Sequence, residues 1–68
     1  MRNSIKVERA ILNLTQEDLA QAIGVSRQTI SSIEANRYVP STVLALRLSR
    51  IFQKPVNDFF MLEELDLP

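Results

Sequence analysis

The side chains best suited to chemistry in this 68-residue chain fall on one side of the segment that follows Ser26. Ile30 and Ile33, at helical spacing, predict a helix with one buried side. The opposite side carries one cation and three uncharged hydrogen-bonding groups: Arg27, Gln28, Ser31 and Ser32. These groups can bind a polar partner, and the same residue types also suit an ordinary solvated helix face. Whether this side binds a partner or is only solvated depends on how the neighbouring segments place it.

Catalysis is not expected from this composition. The chain contains no cysteine and no histidine, which removes thiolate nucleophiles, imidazole bases and the common zinc sites. No nucleophile and base, phosphate loop or metal cluster can be assembled from the remaining residues. The sequence therefore predicts a binding protein that is not an enzyme and has no cofactor and no metal.

The formal charge of the chain is zero, but the charges are unevenly distributed. Eight basic and four acidic residues precede Pro55, a formal charge of +4, and the rest of the chain carries four acidic residues and no basic one. A basic body fits an anionic partner on one face and leaves another role for the acidic end. Since there is no run of 18 apolar residues and no cleavable leader pattern, we expect a cytoplasmic protein without a membrane segment.

Four segments at helical spacing predict an all-α fold, and 68 residues are enough for one core. The first segment runs from Asn3 or Ser4 to Asn13, and its apolar residues are Ile5, Val7, Ile11 and Leu12. The next three begin at residues whose side chains cap helices: Thr15, Ser26 and Ser41. Core spacing in these three segments is shown by Leu19, Ala20, Ile23, Ile30, Ile33, Leu44, Ala45, Leu48 and Phe52. A last turn, residues 56 to 60, closes the core.

The second and third segments are separated by only three or four residues around Gly24. Such a short turn forces a steep crossing of two helices, which requires a small residue on the first helix and a turn residue free of side-chain clash. Ala20 and Gly24 meet these two requirements. In a helix-turn-helix of this kind, the first residues of the second helix can enter the major groove of DNA, which is about 12 Å wide.

In the two helices, the turn between them and the loop that follows, the sequence resembles the small Cro/repressor-type helix-turn-helix regulators, also called the xenobiotic-response-element family. The resemblance covers about residues 3–60 and rests on three stretches at the family's spacing: LTQEDLA, IGVSRQTISSIE and NRYVPS. It implies a five-helix, lambda-repressor-like DNA-binding domain whose second helix crosses the DNA backbone and whose third helix reads bases. It also implies a sequence-specific transcriptional regulator, a repressor, that binds double-stranded DNA at a palindromic operator as a homodimer and has no small-molecule ligand domain.

The resemblance also implies roles for single residues. Base contacts fall to four residues of the third helix: Arg27, Gln28, Ser31 and Ser32. Gln28 matches the family's main base reader, and a glutamine can bind N6 and N7 of adenine. Contacts to the DNA backbone fall to Gln16, Thr29, Asn36, Arg37 and Tyr38. Gln16 begins the second helix, where its amide and the helix N-terminus can both face a phosphate.

Helix one is where the sequence departs from the family. Arg9 and Glu34 match a pair that in the family forms an ion pair between helix one and the end of helix three, which implies a structural role for both. Glu8, however, stands where the family usually has a large apolar residue. Ile11 and Leu12 occupy positions that are usually polar. The register or packing of helix one is therefore expected to differ from that of the family.

Residues 61–68 form an extension beyond the domain of residues 3–60. Leu65 and Leu67 alternate with Glu64 and Asp66, which is typical of a short strand with one wet face. Contact between two copies of the chain is expected through Phe60, Met61, Leu62, Leu65 and Leu67. The alternative is a frayed terminus.

A second function class stays open, namely a helix-turn-helix that binds a protein, such as an antitoxin or an adaptor. The neutral total charge and the leucines of the extension favour it, whereas the outward pair of Arg27 and Gln28 favours DNA. Salt separates the two classes, because binding to DNA weakens steeply as salt rises and an apolar protein contact barely responds.

Overall fold

A computed structural model describes all residues from 1 to 68. Its four helices are α1 (Ile5–Ile11), α2 (Gln16–Ile23), α3 (Arg27–Glu34) and α4 (Thr42–Phe52). Two short strands, β1 (Arg2–Asn3) and β2 (Phe60–Met61), pair in an antiparallel sheet, so the fold is mainly helical rather than all-α. None of the helices has the length and apolar character needed to cross a membrane.

The resemblance implies five helices, but the last predicted turn, residues 56–60, contains only a single 3₁₀ turn over Val56–Asp58. Phe59, directly after it, has φ −132° and ψ −4°, which lies outside the helical region. The chain then enters β2 instead of a further helical turn. The prediction of five helices is therefore not confirmed, although the segment closes the core as expected.

One core of ten buried side chains holds the helices together, and its members are Ile5, Leu19, Ala20, Ile23, Ile30, Ile33, Leu48, Phe52, Phe59 and Phe60. The ring centre of Phe59 lies 5.0 Å from that of Phe52 in an edge-to-face contact and 5.2 Å from that of Phe60. Leu44 and Ala45, which are also at core spacing, are partly buried and pack against this cluster. The helical periodicity predicted for α2, α3 and α4 is confirmed.

Helix α1 buries a different side from the one its apolar residues predict. Ile5 is buried, but the remaining apolar residues of this segment are 44–61% exposed: Val7, Ile11 and Leu12. The buried position three residues after Ile5 is taken by Glu8, which is 7% exposed. Its Oε1 lies 2.8 Å from Nζ of Lys54. The ion pair compensates for burying the carboxylate, so Glu8 fills a position that is usually apolar.

The helices begin at the predicted caps. Oγ1 of Thr15 accepts a hydrogen bond from the backbone N–H of Asp18 at 3.0 Å, and the Asp18 carboxylate accepts one from the N–H of Thr15 at 3.0 Å. The second bond lowers the pKa of Asp18. The hydroxyls of Ser26 and Ser41 accept from the backbone N–H three residues further on, each at 3.2 Å. Helix α2 ends at Gly24, which is in the left-handed conformation with φ 78°.

The C-terminal strand is present, but it lies earlier than predicted and pairs within the chain. Asn3 is opposite Phe60, and Arg2 is opposite Met61. The alternating residues that predict a strand form a 3₁₀ turn over Glu64–Asp66 instead. Strand β1 pairs only with Phe60 and Met61, so no strand is available to pair with residues 64–67. The alternation of these four residues is therefore not enough to form a strand.

Ion pairs fix the path of the C-terminal extension. The α-ammonium group of Met1 lies 2.8 Å from Oδ2 of Asp66 and 3.1 Å from Oε1 of Glu63. Hydrogen bonds to Asp66 and then Glu63 raise the pKa of the Met1 ammonium, and the ammonium lowers the pKa of Asp66. The extension therefore lies along the N-terminus, while Leu65 between these carboxylates is 98% exposed.

Gly24→Val should destabilise the fold by about 1–2 kcal/mol, because a left-handed residue holds its Cβ against a backbone carbonyl. Lack of space is not the reason, since a Cβ at Gly24 would lie 3.7 Å from the nearest atom, Nη1 of Arg47. Gly24→Asn is the control and should lose clearly less, because asparagine tolerates this conformation. Urea unfolding followed by circular dichroism measures both. Equal losses would contradict the conformational explanation.

Candidate nucleic-acid interface

Helices α2 and α3 are in contact and are joined by the short turn that the sequence predicts. Ala20 is 0% exposed, and its carbonyl accepts a hydrogen bond from the N–H of Val25 at 2.9 Å. Gly24 turns the chain between the two helices. Because Ile30 and Ile33 lie in the core, the opposite side of α3 faces solvent. The fold thus presents the polar side of α3 to a partner.

An open polar hollow lies on the exposed side of α3 and the loop that follows it. Its lining residues are Ser26, Gln28, Thr29, Ser32, Arg37 and Tyr38. Five of the six are residues that the sequence predicts as base or backbone contacts, so folding brings part of both sets together. The sequence predicts Ser26 only as a helix cap. Ser26 precedes Thr29 by three residues, the spacing of a helix cap, and this spacing could have placed it next to the other lining residues.

Hydrogen bonds fix both ends of this hollow. Oγ of Ser26 accepts from the backbone N–H of Thr29 at 3.2 Å and lies 3.0 Å from Oγ1 of the same residue. At the other end, the N–H of Arg37 donates to the carbonyl of Ser32 at 2.9 Å. Asn36 turns the chain between them with φ 60°. The backbone around the hollow is therefore held in place by α3 and by the hydrogen bonds at the start and the end of this helix.

Cationic and polar side chains on this face are free to meet a partner. Arg27, Gln28 and Arg37 are exposed, and neither arginine takes part in an ion pair of the structure. Arg27 and the half-buried Ser31 lie on α3 but outside the lining of the hollow. Unpaired guanidinium groups bind carboxylates and phosphates, and a carboxamide can bind a donor and an acceptor at once. This face is thus suited to a polar, anionic partner.

Two predicted backbone contacts have partners inside the protein. Oδ1 of Asn36 accepts from Nδ2 of Asn3 at 2.9 Å, and the same Nδ2 donates to the carbonyl of Ile33 at 2.8 Å. Nε2 of Gln16 donates to Oε1 of Glu34 at 3.2 Å. Asn36 and Gln16 do not line the hollow, and each has a hydrogen-bond partner elsewhere in the protein.

The ion pair between Arg9 and Glu34 is confirmed. Nε and Nη2 of Arg9 donate to the two carboxylate oxygens of Glu34 at 2.9 and 3.2 Å, and Nη1 donates to the carbonyl of Leu14 at 2.9 Å. The side chains are 15% and 9% exposed, and hydrogen bonding to Glu34 raises the pKa of Arg9. The pair ties α1 to the end of α3 and neutralises the only carboxylate on α3.

Known proteins match this chain over nearly its whole length. The family model described as helix-turn-helix matches residues 5–59. An uncharacterized HTH-type transcriptional regulator of Methanocaldococcus jannaschii is 48% identical over 64 residues, which cover 94% of this chain and 97% of that protein. The uncharacterized HTH-type transcriptional regulator YgzD of Bacillus subtilis is 44% identical, again over 94% of this chain and 97% of the relative. The ImmF control region 10 kDa protein of Bacillus phage phi105 is 37% identical over 87% of this chain and 66% of its own length.

Ser26→Ala should destabilise the protein by about 1 kcal/mol, because the first turn of α3 loses its side-chain acceptor. Ser26→Asp is the matched variant, and it should keep the stability since aspartate caps a helix as well as serine does. Chemical unfolding of the three proteins at pH 7 makes the comparison. If Ser26→Asp lost as much stability as Ser26→Ala, the hydroxyl would not act as a cap.

Proposed function

The chain belongs to the Cro/C1-type helix-turn-helix family of DNA-binding transcriptional regulators, and we propose that it is a repressor that binds a palindromic operator as a homodimer. The polar hollow of α3 carries this proposal, because Gln28 and Arg37 stand there exposed on a positively charged face. Its hydroxyl, carboxamide and guanidinium groups suit binding, so we propose no enzyme activity. As a DNA-binding regulator of transcription, it would act in the cytoplasm.

Base reading is assigned to the exposed side of α3, which would lie in the major groove. Gln28 would bind an adenine through N6 and N7, and Arg27 a guanine through O6 and N7. Ser31 and Ser32 would add weaker hydroxyl contacts at the same face. The placement of Gln28 and Ser32 in one hollow supports this division, since a single stretch of groove could meet both.

Backbone contacts are assigned to residues on both sides of α3. Arg37, Tyr38 and Thr29 lie in the hollow and would face the phosphates that border the groove. Gln16 would bind a phosphate at the start of α2, where the helix dipole favours an anion. Asn36 would contribute by holding the turn before Arg37, because its own side chain is bonded to Asn3.

Dimerisation is assigned to the C-terminal extension and the apolar surface next to it. Leu62, Leu65 and Leu67 are 66%, 98% and 56% exposed. Phe60 belongs to the core and is only 8% exposed, but its edge lines two apolar grooves. Met61 and Leu62 line one of them, and Leu46 of α4 lines the other. Exposed apolar residues gathered at one place favour association. A second copy would also add a second α3, and one helix reads only a few base pairs.

A protein-binding role is the second candidate, and a specific observation favours it. Val7 and Ile11, one turn apart on α1, are 58% and 61% exposed, at a distance in sequence from the extension. An antitoxin or an adaptor could use such a stripe to bind a partner helix. This role is compatible with DNA binding, because α3 presents its polar side independently of these two residues.

The assignment of base and backbone contacts predicts two different binding defects. Gln28→Ala should weaken binding to a duplex selected from a random pool by about 1–3 kcal/mol and relax one base position. Arg37→Ala should weaken binding to selected and random duplexes almost equally and make the salt dependence shallower, because a phosphate contact carries no sequence information. Fluorescence anisotropy titrations at several salt concentrations measure both effects.

Melting curves provide the control, since both side chains are exposed and neither substitution should shift the melting temperature. Unchanged affinity of Gln28→Ala for the selected duplex would show that α3 is not the reading helix. A wild type that bound no duplex even at low salt would favour the protein-binding role instead.

The double variant Leu62→Ser, Leu65→Ser should raise the dissociation constant of the homodimer by about tenfold or more, because two apolar side chains per copy leave the contact. Point variants are preferable to deleting residues 61–68, since Met61 pairs with Arg2 in the sheet. Val7→Ser is the control, because Val7 is an apolar residue on α1 that is 58% exposed and lies outside the extension. Light scattering and sedimentation measure the masses. A monomeric wild type at micromolar concentration would rule out the homodimer, and an unaffected double variant would rule out this surface.

A further inference from the structure

One carboxylate joins three helices next to the start of α2. Oε2 of Glu34 accepts from Nε of Arg9 at 2.9 Å, and Oε1 accepts from Nη2 of Arg9 and from Nε2 of Gln16, both at 3.2 Å. The Glu34 side chain is only 9% exposed. The end of α3 thereby holds a side chain of α1 and a side chain at the first position of α2.

The hydrogen bond from Gln16 to Glu34 determines which end of the carboxamide faces inward. A carboxylate accepts hydrogen bonds and donates none, so it selects the nitrogen of Gln16 and not the oxygen. One N–H of that nitrogen is used, and the second N–H has no acceptor in the protein. The backbone N–H of Gln16 also lies in the first turn of α2, where no intrahelical acceptor exists.

We propose that Glu34 is a positioning residue for DNA binding, which orients the carboxamide of Gln16 so that its second N–H and the N-terminus of α2 bind the same phosphate. This inference rests on the proposed function and deepens it. Holding a glutamine in one rotamer before binding removes the entropic cost of ordering it in the complex.

Arg9 has a second part in this arrangement. An unpaired Glu34 carboxylate beside a phosphate would repel it, and the bidentate pair with Arg9 cancels that charge. Its bond to the carbonyl of Leu14 keeps the guanidinium in place from the other side. The pair is therefore both a tie between helices and the condition under which Glu34 can hold Gln16 close to an anion.

Side-chain mobility in the free protein tests the orientation directly. The ¹⁵N relaxation of the Gln16 carboxamide should give an order parameter close to the rigid-backbone value of about 0.85, and that of Gln28 should lie below about 0.6. Gln28 is the matched control because it is exposed and has no hydrogen bond in the structure. A Gln16 carboxamide as mobile as that of Gln28 would overturn the proposal.

A double-mutant cycle on DNA affinity tests the consequence. Gln16→Ala should weaken binding to the selected duplex about fivefold in the wild-type background and less than twofold when Glu34→Met, which leaves no acceptor for Gln16, is already present. A merely structural Glu34 would leave the effect of Gln16→Ala unchanged in both backgrounds, and this additive result would overturn the proposal. If Glu34→Met does not fold, the relaxation measurement on the wild type still decides.

The proposed function and the positioning role of Glu34 can be disproved separately. If the wild type binds no duplex from the random pool, the proposed function is wrong. If the wild type binds a selected duplex but the cycle is additive, the proposed function stands and only the role of Glu34 is wrong.

Discussion

The close crossing of α2 and α3 is the constraint on which the remainder of the structure depends. Ala20 of α2 is completely buried in the core that the two helices share. The chain turns at Gly24 in a left-handed conformation, which is costly for a residue that has a side chain. With the helices this close, Ile30 and Ile33 turn inward to the core. The polar side of α3 then has to face solvent. The surface that we propose for reading DNA follows here from a packing requirement.

Charge pairing inside the protein explains how a chain of zero formal charge can present a basic face. Glu8 is bound by Lys54, Glu34 by Arg9, and two of the three carboxylates of the extension, Glu63 and Asp66, by the N-terminus. Asp18 is used in the cap of α2. Arg27 and Arg37 remain unpaired on the exposed side of α3 and the loop that follows it. The distribution of the carboxylates, rather than their number, thus sets the electrostatic character of the site.

Local signals in the sequence predict the helices and part of the site, but not the contacts between distant segments. Caps at Thr15, Ser26 and Ser41 and the turn at Gly24 depend on neighbouring residues, so they can be predicted from the sequence. The burial of Glu8 depends on Lys54, 46 positions away, and no periodicity contains that partner. The bond from Gln16 to Glu34 and the pairing of β1 with β2 are long-range in the same way.

The affinity ratio between selected and random duplex tests the central claim most directly. A regulator that reads bases through α3 should bind a duplex selected from a random pool at least about a thousandfold more tightly than an unselected duplex at the same salt concentration. Equal affinity for the two duplexes, or no binding to either, would contradict the account. The measurement needs only the wild-type protein and one buffer.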